Sequence, residues 1–130
     1  MRLNLTLSDN QTETIDINKN LILRAKNYNL LDCYIYNEDL ELIDVTGATL
    51  FLTVKNKSTD ADASAVLSKT ITTLTDPQNG QIKIELTDTD TDTLVGSYIY
   101  DIKIKLTTGE IYTLAEGWIN FKRSLTVRES

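Results

Sequence analysis

The chain contains no histidine. That absence removes Ser-His-Asp and Cys-His nucleophilic catalysis, His-liganded zinc and iron, and the commonest general base near neutral pH. It contains one cysteine, Cys33, which cannot close an internal disulfide and is read as a buried structural thiol in a protein made in a reducing cytoplasm. With one proline and five glycines in 130 residues there is no Pro/Gly/Ser linker, and neither a composition shift nor an internal repeat divides the chain. Basic residues are in deficit: 13 Lys and Arg stand against 19 Asp and Glu, a net charge of -6. A phosphate backbone therefore meets repulsion before contact, and nucleic acid is not expected as a partner. No apolar run approaches the roughly 20 residues of a membrane-spanning helix. Met1 to Asp9 alternates polar and apolar residues, where a secretory signal needs a continuous apolar stretch of roughly 7 to 15. The expectation is a water-soluble protein with no membrane partner and no Sec export. A Walker A loop, a Gly-rich dinucleotide fingerprint, CxxC and GxSxG are also missing, which leaves nothing from which to build a catalytic or cofactor site, and no small-molecule substrate is expected.

What is present is alternation. Tyr98, Tyr100, Ile102, Ile104 and Leu106 share one face of a strand while Asp101, Lys103 and Lys105 occupy most of the other. Gln81 to Leu86 repeats the pattern with Ile82, Ile84 and Leu86 inward, and Thr49 to Lys55 does so with Leu50, Leu52 and Val54, although Phe51 falls on the outer parity and calls for cover. Shorter runs are Leu21 to Ala25 and Cys33 to Tyr36, and weaker strands are read at Leu3 to Leu7, Thr12 to Ile17 and Val66 to Thr72. Glu110 to Leu114 and Trp118 to Phe121 follow, with a parity shift between them that a bulge around Ala115-Glu116-Gly117 explains.

Gly47, Gly80, Gly96, Gly109 and Gly117 all fall at or beside the ends of these runs. Asp76-Pro77-Gln78-Asn79-Gly80 reads as a turn, Thr107-Thr108-Gly109 as a hairpin loop, and Lys55 to Ser64 as a long, mobile polar connection. Between Leu86 and Gly96 the rhythm breaks. There Thr87 or Asp88 can cap a single helical turn near residues 88–94, with carboxylates at its positive end. The fold class that follows is all-β: an antiparallel sandwich of immunoglobulin-like, Greek-key type with roughly 7 to 9 strands. Residues 11–130 form the one domain, and residues 1–10 an N-terminal arm or edge strand ahead of it.

Three site chemistries compete with plain structural readings. Asp88, Asp90 and Asp92 match the first three ligand positions of an EF-hand loop, but its sixth position is Thr93 instead of Gly and its twelfth Ile99 instead of Glu. They are read as helix-terminal charge, and Asp60 and Asp62 as solvated side chains, so no metal is expected. Carboxylate pairs for glycoside hydrolysis are not singled out by spacing, since Glu85, Asp101 and Glu110 alternate with Lys83, Lys103 and Lys105 as cross-strand charge pairs do. Trp118 with some of the tyrosines can make a sugar-stacking platform, but Tyr98 and Tyr100 lie on the apolar parity of their strand and are read as core.

From Asp44 onward the order of signals resembles the N-terminal domain of phage baseplate upper proteins and related small tail and virion proteins. The residues that carry the resemblance are Asp44 to Thr49, Gly80 to Thr87, Leu94 to Ile102 and Gly109 to Gly117. Most specific is the Gly96-x-Tyr98-x-Tyr100-Asp101 strand, followed by the Gly109 hairpin and a second glycine, Gly117. The resemblance implies a β-rich docking module without enzymatic activity or cofactor. In the family such a domain is commonly followed by fibre or receptor-binding segments, whereas this sequence stops at Ser130, which favours a small connector, adaptor or decoration subunit.

The expected function is thus a non-enzymatic virion structural protein of a bacteriophage, a tail or baseplate connector whose partners are other virion proteins and copies of itself in a symmetric oligomer. A capsid decoration or head-fibre protein is the alternative, and a carbohydrate-binding or adhesin-like module a further one. Leu3, Leu5 and Leu7 alternate with Arg2, Asn4 and Thr6, and need a sheet to bury them. That sheet is either the chain's own sandwich or the edge of a neighbouring subunit, in which case the three leucines are the assembly contact.

Overall fold

In the computed structural model, which describes residues 2–7, 19–25, 27–56, 65–72 and 74–123, the alternating segments form strands. They are β1 (Arg2–Thr6), β2 (Leu21–Arg24), β3 (Asn29–Tyr36), β4 (Thr49–Lys55), β5 (Leu67–Ile71), β6 (Gln81–Leu86), β7 (Gly96–Lys105) and β8 (Ile111–Lys122). They assemble into a three-stranded sheet of order β1-β3-β6 and a five-stranded sheet of order β2-β8-β7-β4-β5. The run β8-β7-β4-β5 facing β3 and β6 is the Greek-key arrangement of an immunoglobulin-like sandwich. Between the sheets, Leu31, Cys33 and Ile35 of β3 and Ile82, Ile84 and Leu86 of β6 meet Leu50 and Leu52 of β4, Ile102 and Ile104 of β7 and Phe121 of β8, every one of them fully buried. Each such side chain contributes on the order of 1.5 to 3 kcal/mol, so the apolar parity of each strand decides which face turns inward.

Pairing departs from a wholly antiparallel sandwich at the N-terminus. Four strand pairs are antiparallel, but β1 runs parallel to β3 and β2 parallel to β8. Both parallel strands are short and lie at sheet edges. Alternation is the same for either direction of pairing, so the sequence pattern could not distinguish them.

Two further differences concern the C-terminal half. The segments Glu110 to Leu114 and Trp118 to Phe121 are one continuous strand, β8. Its irregularity lies one to two residues earlier than expected, where Ile102 pairs with Ala115 but Lys103 pairs with Thr113, leaving Leu114 as the extra residue. Leu114 and Ala115 are consecutive and both buried, which only a bulge permits. β3 begins four residues before Cys33 because Leu30 and Leu31, adjacent apolar residues, hide its start. The expected strand Thr12 to Ile17 and the connection 57–64, with Asp60 and Asp62, lie outside the described residues.

The Asp-rich segment is the expected helical turn, α1 (Asp88–Thr91), capped by Thr87. Thr87 accepts from the Asp90 N–H at 3.2 Å while the Asp90 carboxylate accepts from the Thr87 N–H at 2.8 Å, a reciprocal capping box. The turn at Pro77 to Asn79 is 3₁₀, and it ends on Gly80 at φ +71°. A Cβ there would meet the carbonyls of Ile35 and Ile43 at 2.8 and 2.9 Å, so this glycine is required by close backbone approach as well as by its left-handed conformation.

Candidate assembly surfaces

The residues of the Gly-x-Tyr-x-Tyr-Asp pattern work together at one place in the five-stranded sheet. Tyr100 on β7 is buried and pairs across the ladder with Gly117 on β8. The Tyr100 hydroxyl donates to the carbonyl of Lys19, just ahead of β2. Gly117 makes room for that segment: a Cβ would lie 2.9 Å from the Lys19 carbonyl and 2.7 Å from the Asn20 side chain. The same segment is tied by the Lys19 N–H to the Glu116 carbonyl at 2.9 Å and by the Trp118 N–H to Asn20 Oδ1 at 3.1 Å. Tyr100 and Gly117 thus dock β2 against β8. Desolvation pushes the Tyr100 hydroxyl well above the usual tyrosine range, so it remains a donor throughout physiological pH.

The other pattern residues lie along β7 and in the turns beside its neighbours. Tyr98 is half-buried, meets Phe121 edge to face at 5.9 Å and donates to the Val95 carbonyl at 3.4 Å. Gly96 opens β7, Asp101 faces outward on β7 opposite Thr53 and Glu116, and Gly47 and Gly109 lie in turns beside β4 and β8.

Docking β2 creates a feature that the sequence pattern alone did not assemble. Ile22 projects outward from β2 beside Trp118, Asn120 and Lys122 of β8 and Ser97 of β7, and these residues line a shallow groove on the outer face of the five-stranded sheet. Trp118 is 43% exposed and Ile22 50%. The aromatic platform considered for Trp118 with the tyrosines is not formed, because Tyr100 is in the core and Tyr98 packs on its rim. Ile22 is the partner that was missed. Its only signal is an apolar residue on the outward parity of Leu21 to Arg24. At one end of the groove Arg24 and Lys122 are register partners on neighbouring strands, two like charges side by side.

The three leucines of the N-terminal pattern are not a projecting contact. Leu3 and Leu5 belong to the chain's own core, and Leu7 is half-buried against it. Among the described residues, Arg2–Thr6 form an edge strand of the three-stranded sheet, and side chains used within the sandwich are unavailable to a neighbour. The opposite parity of β1 joins a polar surface on the three-stranded sheet. The Arg2 guanidinium donates to Asn4 Oδ1 and to the Tyr36 hydroxyl, each at 3.1 Å, and lies 3.9 Å over the Tyr34 ring. Gln81 donates to Asp32 and to the Tyr34 hydroxyl at 2.9 and 3.1 Å.

Of the acidic residues weighed for calcium, Asp88 accepts from the Thr89 N–H at 3.0 Å and Asp90 is engaged more fully. Asp90 closes the capping box and pairs with Lys69 at 2.7 Å, which with the capping hydrogen bonds holds its carboxyl below the usual range. Glu110 likewise accepts from Tyr112 and Thr108 at 2.6 and 2.9 Å. No group of three or more metal-ligating side chains is gathered among the described residues, and no helix among them is long and apolar enough to cross a membrane.

Comparison by sequence finds no matching protein-family model and no matching curated protein. Comparison of structures does. A solved structure, the N-terminal domain of phage TP901-1 ORF48, aligns with a TM-score of 0.52 over 93% of this chain and 98% of that one, at 15% identity. The two share a fold. The alignment covers nearly the whole of both chains, so the likeness is one of the overall fold and not of a fragment.

Proposed function

We propose that the chain is a non-enzymatic structural subunit of a tailed-phage virion, a tail or baseplate connector that acts by protein-protein assembly. The observation that carries this reading is the shared fold with a phage domain over 98% of that domain's length, supported by the resemblance of residues 44–117 to the docking domain of baseplate upper proteins. A sandwich of this kind offers two types of contact. Among the described residues, the outermost strands are β1 and β6 of one sheet and β2 and β5 of the other; their main-chain groups can add a neighbour's strand, and the outer sheet faces supply specificity. Partners on this reading are other virion proteins and further copies of the chain, and the location is the assembled particle.

Immunogold labelling of purified particles of the phage that encodes the chain, with mass spectrometry of the same particles, tests the proposal. Label at the tail tip is the expected result. Label on the head would favour the capsid decoration or head-fibre reading, and absence of the protein from particles would remove the virion role. The exposed Trp118 gives the carbohydrate-binding alternative its one specific observation. Binding on a glycan array that Trp118→Ala abolishes would favour it.

A further inference from the structure

The connection after β3 is built to hold one apolar side chain away from the protein. Leu40 has φ +63° and is 75% exposed. A leucine in left-handed conformation is uncommon and costs free energy that surrounding structure must offset. Here Asn37 supplies the offset: its side-chain oxygen accepts from the N–H groups of Asp39 and Glu41, both at 2.9 Å, and its backbone N–H donates to the Glu41 carbonyl at 2.8 Å. The Leu40 N–H closes the turn onto the Asn37 carbonyl at 3.1 Å. Around this rigid leucine stand exposed Glu38, Asp39, Glu41 and Leu42. The result is an apolar knob in an acidic collar.

The groove on the five-stranded sheet is its complement in both respects. Its apolar lining is the exposed pair Ile22 and Trp118, and beside it Arg24 and Lys122 are register partners on neighbouring strands. Among the described residues neither cation has a carboxylate partner, and two adjacent cations in a chain of net charge -6 repel each other until an anionic group arrives. One copy cannot fill its own groove. The knob follows Tyr36, at the end of the sandwich where β6 begins, since Tyr34 pairs with Gln81; the groove lies at the other end, where Asn29 pairs with Leu86 and Ser97 stands near the start of β7.

We infer that the outer groove of the five-stranded sheet receives the Leu40 knob of a second copy of this chain, with Glu38, Asp39 and Glu41 facing Arg24 and Lys122. The inference deepens the assembly reading by naming the partner and the contact. The two surfaces differ, so the contact is head to tail and propagates around a ring or along a row instead of ending at a two-fold dimer. The patches are small, which places the isolated contact among weak interfaces that multivalency in an assembly strengthens.

Sedimentation velocity of the full chain, alone and at low salt, tests this at a concentration on the order of 0.5 mM, where weak contacts are populated. The expected result is association that added salt reverses. Leu40→Asp and Lys122→Glu, both at exposed positions, should each weaken it by about tenfold or more while leaving the melting temperature unchanged. A mixture of the two variants should form a one-to-one complex that goes no further, because Lys122→Glu keeps an intact knob and Leu40→Asp an intact groove. A chain that stays monomeric overturns the inference, as does association indifferent to both substitutions. So would NMR shifts at Ile22 and Trp118 on adding an acidic oligosaccharide with none on raising protein concentration, an outcome that would give the groove to a glycan. The purified chain suffices for every arm, so failure here is distinguishable from absence of the protein from particles.

Discussion

Whether β1 is part of the sandwich or an arm for a neighbour has a direct thermodynamic test in Leu5→Ala. Leu5 is fully inaccessible and belongs to the same buried cluster as Ile35 and Ile84. Truncating it removes the transfer free energy of the lost methyl groups and leaves a cavity between two sheets that cannot close freely, so the cost should be about 3 kcal/mol, within the usual 2 to 5 for such a site. For a domain of this size that corresponds to a fall of roughly 10 °C in Tm. Urea denaturation of wild type and variant, followed by tryptophan fluorescence, gives the value directly from the shift in midpoint at constant slope. Deleting residues 1–7 removes Leu3 and Leu5 together, a loss of roughly 3 to 6 kcal/mol from burial alone, along with the parallel ladder to β3. Against a typical total of about 5 to 15 kcal/mol the truncated chain should lose most of its stability and its sharp transition. A Leu5→Ala variant within about half a kcal/mol of wild type, or a truncated chain that unfolds cooperatively at nearly the same midpoint, would show that β1 is dispensable and refute its place in the core.

Three further outcomes follow from single contacts. Gly117→Ala places a methyl group 2.9 Å from the Lys19 carbonyl at a φ of +153°, so β2 should detach; amide exchange at Leu21 and Leu23 should accelerate well before global unfolding, and unchanged protection there would contradict the clamp. Asp90 has its folded pKa depressed by Lys69 and the Thr87 cap, so the stability it contributes is present above its unfolded pKa and is lost as pH falls through the lower folded value. Asp90→Asn should therefore cost up to about 1 kcal/mol at pH 7 and almost nothing at the acid end, and a cost that stays constant with pH would deny the ion pair a role. Burial pushes the Cys33 thiol up to about 12, so at pH 8 on the order of one molecule in ten thousand carries the thiolate and a chromogenic disulfide reagent should react only at the rate of unfolding; rapid stoichiometric reaction of the native protein would place Cys33 at the surface.

What the sequence made legible follows from where alternation is clean. β4, β6 and β7 are recovered to within two residues because charged or polar side chains fill most of the outward parity, Phe51 and Ile99 excepted, and leave no second solution. The fold class followed from those strands together with glycine-marked turns. What escaped were the places where the pattern breaks for a tertiary reason. Leu30 beside Leu31 hides the start of β3, and Leu114 beside Ala115 is the bulge itself. Ile22 and Trp118 are apolar residues on outward parities, each unremarkable alone, and only the parallel pairing of β2 with β8 brings them together. That pairing depends on Tyr100 reaching over Gly117 to Lys19, contacts between residues up to 98 positions apart that no local window contains.

Leu40 escaped for the opposite reason. Its left-handed backbone is imposed by Asn37, and Asn followed by acidic residues reads as an ordinary solvated turn in which a leucine has no evident role. Alternation satisfied by burial accounts for the core of this sandwich. Of the large apolar residues left exposed after that accounting, Ile22, Leu40, Leu42 and Trp118 stand at the two surfaces inferred to meet, where a second copy would cover them, while Tyr28, Val95, Ile99 and Ile111 are exposed as well.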